Sequence, residues 1–325
     1  MNKKKSVSYT RYGYIFAIPF VVAFLLFQLY PILYTTFIGF TNLKGLNSKD
    51  MSLVQGNPFQ NFVDVVNVES FRTALKNTAK IWILNFIPQI GLALLLTAWF
   101  TDVRSKIKGM GFFKVVFYMP NIITAATVAI LFNALFGSPT GPINDILISL
   151  HIQDGPVQYL VNKSTAQGIV IFIQFWMWFG YTMVTLISGV IGIDPAIFEA
   201  AEIDGANRVQ TFLFITLPCI RTIMLFTLVT SLIGGLNMFD IPKCFLDGGP
   251  DSATLTTSVF IYNQAFSGSY IYNKAAAASM IMFVIIVFFS SFLFYILRDK
   301  DEAALKKMKK RELREAKKRL AEGVM

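Results

Sequence analysis

Six long apolar runs recur along this chain, separated by shorter polar connections. They cover residues 12–40, 81–100, 115–136, 168–191, 217–239 and 275–297. A helix of about 20 apolar residues spans a hydrocarbon core roughly 30 Å thick, because each residue rises about 1.5 Å. The pattern therefore predicts an all-α polytopic membrane protein with about six transmembrane helices.

The first run is too long to be the core of a cleaved secretory signal. Such a core has about 7–15 residues and precedes a small-residue cleavage site, whereas this run extends from Tyr12 to Phe40 without one. We therefore divide the chain into a basic N-terminus at 1–11, a transmembrane domain at 12–297 and a basic tail at 298–325.

Basic residues predict the orientation of these spans. They cluster at the N-terminus, in the tail and in the second connection, at Arg104, Lys106 and Lys108, whereas the connections at about 137–167 and 240–270 each hold one basic residue, Lys163 and Lys243. Loops rich in Lys and Arg stay in the cytoplasm. We expect a multi-pass protein of the cell membrane with both termini cytoplasmic, which also places the fourth connection in the cytoplasm.

Composition agrees with lipid as the solvent of this chain. Its 325 residues are 54% hydrophobic and 15% charged, with a mean hydropathy of +0.56, whereas soluble domains are roughly a quarter charged. The net charge of +10 is clustered, so it does not indicate a nucleic-acid surface. The basic tail instead suits cytoplasmic anchoring and anionic membrane lipid. One His and two Cys predict no metal cluster, and we expect no cofactor.

The fourth connection has the pattern of two short helices joined at a glycine. Pro195 suits the first turn of one helix, and Gly205 permits a sharp turn before the next. Phe198, Ala201 and Phe212 would then form an apolar patch. Such a patch either docks another protein or packs on its own bundle, and the residues alone leave both alternatives open.

This stretch also resembles the EAA motif of importer permeases of the ATP-binding-cassette (ABC) class. The matching positions in residues 195–218, the EAA segment, are Glu199, Ala200, Ala201, Asp204, Gly205, Ala206, Ile215, Leu217 and Pro218. Residues 117–120, 141–144 and 248–250 likewise resemble the carbohydrate-importer permease family of the maltose-importer type. The chain departs from that type in its short first outer connection and in Tyr272-Asn273-Lys274, where many relatives keep small residues and glycine.

The resemblance implies a permease subunit of an ATP-driven, binding-protein-dependent importer of sugars or oligosaccharides. In that family the EAA segment forms a cytoplasmic pair of coupling helices seated in a cleft of a separate ATPase subunit. Glu199 would make the polar contact, Gly205 the turn, and Ala200 and Ala201 the close approach. The chain has no G-x-x-x-x-G-K-[ST] phosphate loop, so it is not expected to be an enzyme itself. The implied partners are a second permease subunit, two copies of the ATP-binding subunit and an extracellular solute-binding protein.

A sugar path needs aromatic faces and hydrogen-bonding groups at membrane depth. Residues combining these properties in the fourth and fifth runs are Gln174, Trp176, Trp178, Tyr181, Asn237 and Asp240. The two tryptophans could equally serve packing. Asn85 and Asn133 could line a cavity or bridge helices.

The loop at Gly248, Gly249 and Pro250 resembles the segment of relatives that faces the binding protein. Its alternative is a plain turn, which Gly and Pro favour on their own.

Two other classes of membrane protein fit the residues less well. An ion-coupled secondary transporter generally places ionisable residues inside the membrane, whereas here they lie near span ends, as Lys114 and Arg221 do. A membrane enzyme would need a nucleophile with its base or a metal cluster, yet His151 lies outside the apolar runs.

Overall fold

The protein is described by a computed structural model covering residues 10–46, 48, 51–102, 104, 107–268, 270–297, 308 and 311–312. The predicted basic N-terminus and basic tail therefore lie almost wholly outside the described residues. Within the described residues the secondary structure is helical, apart from one isolated β-bridge between Thr41 and Leu53.

Thirteen helices are numbered in the described chain, apart from the short helical pieces Thr211–Thr216 and Leu217–Cys219. In order they are α1 (Tyr12–Ile38), α2 (Gln60–Asn67), α3 (Glu69–Thr101), α4 (Met110–Ile122), α5 (Ala125–Leu135), α6 (Pro142–Ser149), α7 (Lys163–Ile191), α8 (Pro195–Ile203), α9 (Arg208–Gln210), α10 (Arg221–Leu236), α11 (Asp240–Leu246), α12 (Thr257–Phe266) and α13 (Tyr272–Leu297). Helices α1, α3, α7, α13 and the continuous stretch of α10 and α11 are long and apolar enough to cross a membrane. The bent pair α4 and α5 brings the number to six, which confirms an all-α polytopic fold.

The third predicted span is not a single straight helix. Its two parts, α4 and α5, meet at an angle of 88°. Pro120 removes a backbone donor from the last turn of α4, and Ile123 and Thr124 are extended. The Thr124 hydroxyl then caps α5 by accepting a hydrogen bond from the Thr127 amide at 3.3 Å. Apolarity alone predicted a span here but carries no signal for the bend.

The fifth span is displaced along the chain relative to the predicted run at 217–239. The membrane helix begins at Arg221 and continues through α11, with a break at residues 237–239. The break frees backbone groups, and the Thr256 hydroxyl donates a hydrogen bond to the Met238 carbonyl at 2.9 Å. Such compensation allows an interrupted helix at membrane depth.

The structure divides into two compact units, and the first comprises the described parts of residues 1–74 and 257–284. Phe71 and Phe260 pack in its core with ring centroids 5.3 Å apart. The departure at Asn273 is accommodated within this unit, because the buried Asn273 amide donates to the Asn61 side-chain oxygen at 3.1 Å. Lys274 pairs with the Asp64 carboxylate at 3.1 Å. Both polar residues therefore have partners in the fold.

The second unit comprises the described parts of residues 75–256 and 285–325 and contains two buried apolar clusters. The first cluster includes Ile81, Val128, Ile173, Met177, Ile241 and Phe245. The second includes Ala93, Phe100, Phe179, Met183, Leu186 and Ile220. Both clusters join α3 to α7, so these two helices form the frame of the unit.

Helices α4 and α7 approach each other closely at Gly180. A Cβ at this position would overlap the Phe117 carbonyl of α4. Only glycine allows the two backbones to come this near.

Candidate functional site

A cavity of about 410 Å³ lies within the second unit, between α3, α7 and α10. Each helix lines it with a stripe at helical spacing. The polar and aromatic lining residues are Trp82, Asn85, Gln89, Gln174, Trp178, Tyr181, Thr182, Thr227, Thr230, Ser231, Asn237, Phe239 and Asp240. Asn237 lies in the break between α10 and α11, and Asp240 is the first residue of α11. The interruption of the helix therefore exposes polar groups to the cavity.

The aromatic walls of the cavity are held by specific contacts. Trp82 lies against Gly235, where a Cβ would overlap the indole ring. Its ring nitrogen donates to the Ser231 hydroxyl at 3.3 Å. Trp178 and Tyr181 meet edge to face, with ring centroids 5.9 Å apart. The cavity therefore presents oriented aromatic faces beside hydroxyl groups.

The polar walls combine amides with a single carboxylate. The Gln89 amide donates to the Thr182 hydroxyl at 2.8 Å and so ties α3 to α7. Asn85 donates to the Ile81 carbonyl at 2.7 Å within its own helix. Asp240 is the only charged residue among the lining residues, and no ion pair involves it within the described part of the chain.

Five of the six sequence candidates for the sugar path line this cavity, namely Gln174, Trp178, Tyr181, Asn237 and Asp240. Trp176 does not. It packs against both apolar clusters and lies 5.8 Å from the Phe132 ring. Asn133 bridges helices by donating to the Phe245 carbonyl at 2.7 Å, whereas Asn85 lines the cavity.

Sequence reasoning did not single out Trp82, Gln89 and Ser231 as cavity residues. A signal for two of them was present, because positions 82, 85 and 89 lie on one face of a helix.

The EAA segment folds into two short helices joined at a glycine, as predicted. Asp194 caps α8 by accepting from the Ala196 amide at 3.0 Å, and Pro195 follows at the first helical position. Gly205 has a φ of +76°, which side-chain-bearing residues rarely adopt. Asn207 and Gln210 then form a reciprocal capping box with two bonds of 2.9 Å.

The second helix of the EAA segment continues through a π-helical turn at Thr211–Thr216 into Leu217–Cys219. Ile215, Leu217 and Pro218 therefore lie in the connection from the EAA segment to α10.

The expected apolar patch of Phe198, Ala201 and Phe212 is not the exposed one. Ala201 is buried, and the two phenylalanines are half-buried, with Phe198 packed on the second apolar cluster. The exposed apolar side chains of the segment are instead Ile197, Ile203, Val209, Leu213 and Phe214. Glu199 and Ala200 are exposed as well. The rotation of the helices therefore turns the expected patch towards the chain's own bundle and exposes a different set of apolar side chains.

A groove of about 440 Å³ separates the EAA segment from the end of α3. Trp99, Phe198 and Phe212 line it, together with Glu199. Two ion pairs span the same elements: Arg104 lies 3.2 Å from Glu202, and Arg208 lies 3.0 Å from Asp102.

The loop at 248–256 lies at the ends of α3 and α7 that are opposite to the EAA segment. The Asn77 amide of α3 donates to the Ser252 carbonyl at 2.6 Å. The Gln167 amide of α7 donates to the Ala253 carbonyl at 2.7 Å. Helices α3 and α7 thus run parallel, with this loop at their beginnings and the EAA segment at their ends.

Within that loop Gly248 is buried, Gly249 and Pro250 are half-buried, and the exposed Asp251 pairs with Lys163 at 3.3 Å. Gly248 has a φ of +87°, so its position favours glycine for backbone reasons. Among the described residues no group of three or more His, Cys, Asp or Glu could hold a metal ion.

Comparison with known proteins accounts for this arrangement. Residues 78–304 match the family described as "binding-protein-dependent transport system inner membrane component". The chain is 30% identical over 290 residues to the lactose transport system permease protein LacF of Rhizobium radiobacter, covering 89% of this chain and 94% of that protein. It is 29% identical over 276 residues to the arabinooligosaccharides transport system permease protein AraP of Bacillus subtilis (strain 168), covering 84% and 85%.

A solved structure has a similar fold over most of the chain. It is a bacterial ABC transporter involved in the import of the acidic polysaccharide alginate, with a TM-score of 0.75 and 25% identity, covering 89% of this chain and 96% of the matched chain. These matches confirm the resemblance inferred from the EAA motif and do not favour an ion-coupled secondary transporter. The chain belongs to the family of inner membrane components of binding-protein-dependent transport systems, and it is a transport subunit rather than an enzyme.

Proposed function

We propose that this chain is a permease subunit of an ATP-driven importer that carries sugars or oligosaccharides through the cavity between α3, α7 and α10. One observation carries the proposal: the family match at residues 78–304 includes both this cavity and the EAA segment. The named relatives transport lactose and arabinooligosaccharides, and the structurally similar transporter imports alginate. All three substrates are saccharides.

The cavity has the chemistry that a saccharide requires. Trp82, Trp178 and Tyr181 offer aromatic faces to the C–H surfaces of a sugar ring. The side chains of Asn85, Gln89, Gln174, Asn237 and Asp240 offer acceptors or donors to its hydroxyls. Its volume falls within the range of about 300–1,000 Å³ typical of small-molecule sites. Trp176 is outside this set and serves packing.

The EAA segment is assigned to ATPase coupling. The exposed Glu199 and Ala200 lie within about one turn of Ile203 on α8, and Glu199 lines the groove with Val209 and Leu213, so a polar contact sits next to an apolar docking surface. Gly205 fixes the turn between α8 and α9, flanked by Asp204 and Ala206. Ala201 is assigned to packing on the chain's own bundle, because it is buried.

The topology proposed for the cell membrane places both termini and the EAA segment in the cytoplasm. Arg104, Lys108, Arg208 and Arg221 lie in or next to the connections at that end, and positive residues favour the cytoplasmic side. At the other end Lys163 pairs with Asp251, and Lys243 pairs with Asp247 at 2.6 Å. The outward end is thereby less positive than its lysines suggest.

The partners proposed are a second permease subunit, two copies of an ATP-binding subunit and an extracellular solute-binding protein. The loop containing Gly248, Gly249 and Pro250 would face the binding protein, with Asp251 as its exposed part. The tail at 298–325 would contact anionic lipid. No nucleic-acid partner is proposed.

Co-purification from the native host in mild detergent, followed by uptake in proteoliposomes, tests the assignment. An ATPase and a second permease are expected to remain bound. Glu199→Ala and Gly205→Asp should lower transport and ATPase stimulation by about 5- to 150-fold, as for a typical coupling free energy, without changing binding-protein affinity. Asp145→Ala, at an exposed carboxylate on α6, is the matched control. Normal uptake in both EAA variants, or uptake without ATP by this chain alone, would contradict the proposal.

A further inference from the structure

Two ion pairs cross between the connection after α3 and the EAA segment. Nε of Arg104 lies 3.2 Å from Oε1 of Glu202 in α8. Nε of Arg208 in α9 lies 3.0 Å from Oδ2 of Asp102. Each element contributes one acid and one base, so the pairing is reciprocal. A swap of charges between partners therefore preserves the net charge of the whole group.

The two ion pairs reach both helices of the EAA segment. Arg104 holds α8 and Asp102 holds α9, while Gly205 forms the turn between those helices. Arg104 also donates through Nη2 to the Ala206 carbonyl at 3.2 Å, directly after that turn. The connection after α3 thus contacts α8, the turn and α9, and it fixes their positions relative to one another.

Apolar packing joins α3 to the EAA segment at Phe198, which packs on the second apolar cluster together with Ala93 and Phe100 of α3. The groove of about 440 Å³ lies between α3 and the EAA segment, so Trp99 and Phe212 line an open space there. Exposed ion pairs contribute little to stability. The side chain of Asp102, however, is only 17% exposed, whereas its partner Arg208 is 62% exposed. The group is therefore better suited to setting geometry than to holding the fold together.

Helix α3, which directly precedes the connection that forms these ion pairs, carries cavity residues. Asp102 directly follows α3, and Trp82, Asn85 and Gln89 line the cavity from that helix. Gln89 and Asp102 are separated by about 20 Å of helix at 1.5 Å per residue. The EAA segment is joined to α7 by the chain itself. Its contacts with α3 and the following connection include the ion pairs and the apolar packing of Phe198.

We propose that Asp102, Arg104, Glu202 and Arg208 form a charged clamp that makes α3 move with the EAA segment. Displacement of the EAA segment by the ATPase then moves two walls of the cavity, through α7 covalently and through α3 by the clamp. The four residues are positioning residues, and the proposal rests on the proposed coupling function of the EAA segment.

Charge reversal tests the clamp in the assembled transporter. Asp102→Arg and Arg208→Asp should each lower the amount of substrate transported per ATP hydrolysed by about 3- to 30-fold, the range expected for residues that modulate coupling. The double variant D102R/R208D should return to near the wild-type ratio. The pair Arg104→Glu and Glu202→Arg should behave in the same way. Lys108→Glu is the matched control, because this exposed lysine lies in the same connection and no ion pair among the described residues involves it.

Two measurements separate a failed clamp from a failed assignment. The ATPase should still co-purify with each single variant, since the exposed docking surface is unchanged. Normal transport per ATP in the single variants, or no rescue by the charge swap, would overturn the clamp if Glu199→Ala still abolishes coupling. Normal transport in Glu199→Ala as well would instead overturn the coupling function on which the clamp depends.

Discussion

The contact between α4 and α7 at Gly180 makes a sharp prediction about packing. In a helix interior, replacing Gly by Ala is favourable by about 0.8–1.0 kcal/mol when nothing obstructs the new methyl group. At Gly180 the methyl would overlap the Phe117 carbonyl, a backbone group that cannot rotate away. Overpacking of this kind costs about 1–3 kcal/mol, because the two helices must separate. We therefore expect Gly180→Ala to destabilise the protein by about 0–2 kcal/mol overall.

Gly168 on the same helix is the control, because a Cβ there meets nothing within 4 Å. Gly168→Ala should be neutral or stabilising by up to about 1 kcal/mol. Thermal unfolding of both variants in detergent should place Gly180→Ala below Gly168→Ala, at about 2–4 °C for each kcal/mol of difference. Transport should also fall, because α7 carries Gln174, Trp178 and Tyr181. If Gly180→Ala were as stable as Gly168→Ala or more stable, the close approach of the α4 and α7 backbones would be refuted.

Two further predictions concern single carboxylates. Among the described residues Asp240 is the only charged one that lines the cavity, so Asp240→Asn should relieve repulsion of acidic saccharides. Uronate oligosaccharides should then compete more strongly for uptake, and unchanged competition would contradict a role for this charge. The pKa of Asp64 lies below its ordinary value of 3.8. The main cause is the hydrogen bond that the Gln60 amide donates to its carboxylate at 2.7 Å, and the second is the Lys274 ammonium. Its ionised form therefore stabilises the fold above about pH 4 and loses that effect as the pH falls through the lowered pKa. The stability difference between wild type and Asp64→Asn, measured by thermal unfolding from pH 7 to 3, should be constant near neutrality and shrink only below about pH 4; a difference that does not change with pH would refute the assignment.

Long apolar runs were sufficient to predict the class of fold, since lipid imposes a length on each span. They did not predict the bend between α4 and α5 or the break at residues 237–239, because both segments are as apolar as an intact helix. Those interruptions depend on local capping at Thr124 and on the tertiary partner Thr256. A tertiary partner distant in sequence leaves no signal in the run itself.

The EAA segment shows which structural features a local sequence motif can predict. Its helices and its turn followed from Pro195 and Gly205, whose backbone preferences are local. Which apolar side chains it exposes did not follow, because that depends on the second apolar cluster against which Phe198 packs. The clamp was equally hidden, since positions about 100 residues apart contribute its charges.

The cavity also bears on the proposed second permease subunit. Trp178 is 43% exposed in this chain, and Asn237 and Asp240 are exposed as well. Amide and carboxylate groups facing hydrocarbon are costly, so polar groups at membrane depth lie against protein or water. Nothing in the described part of this chain covers these three side chains. A second subunit that completes the wall would remove the cost and enclose the substrate, and its own lining residues would then share in selecting the sugar.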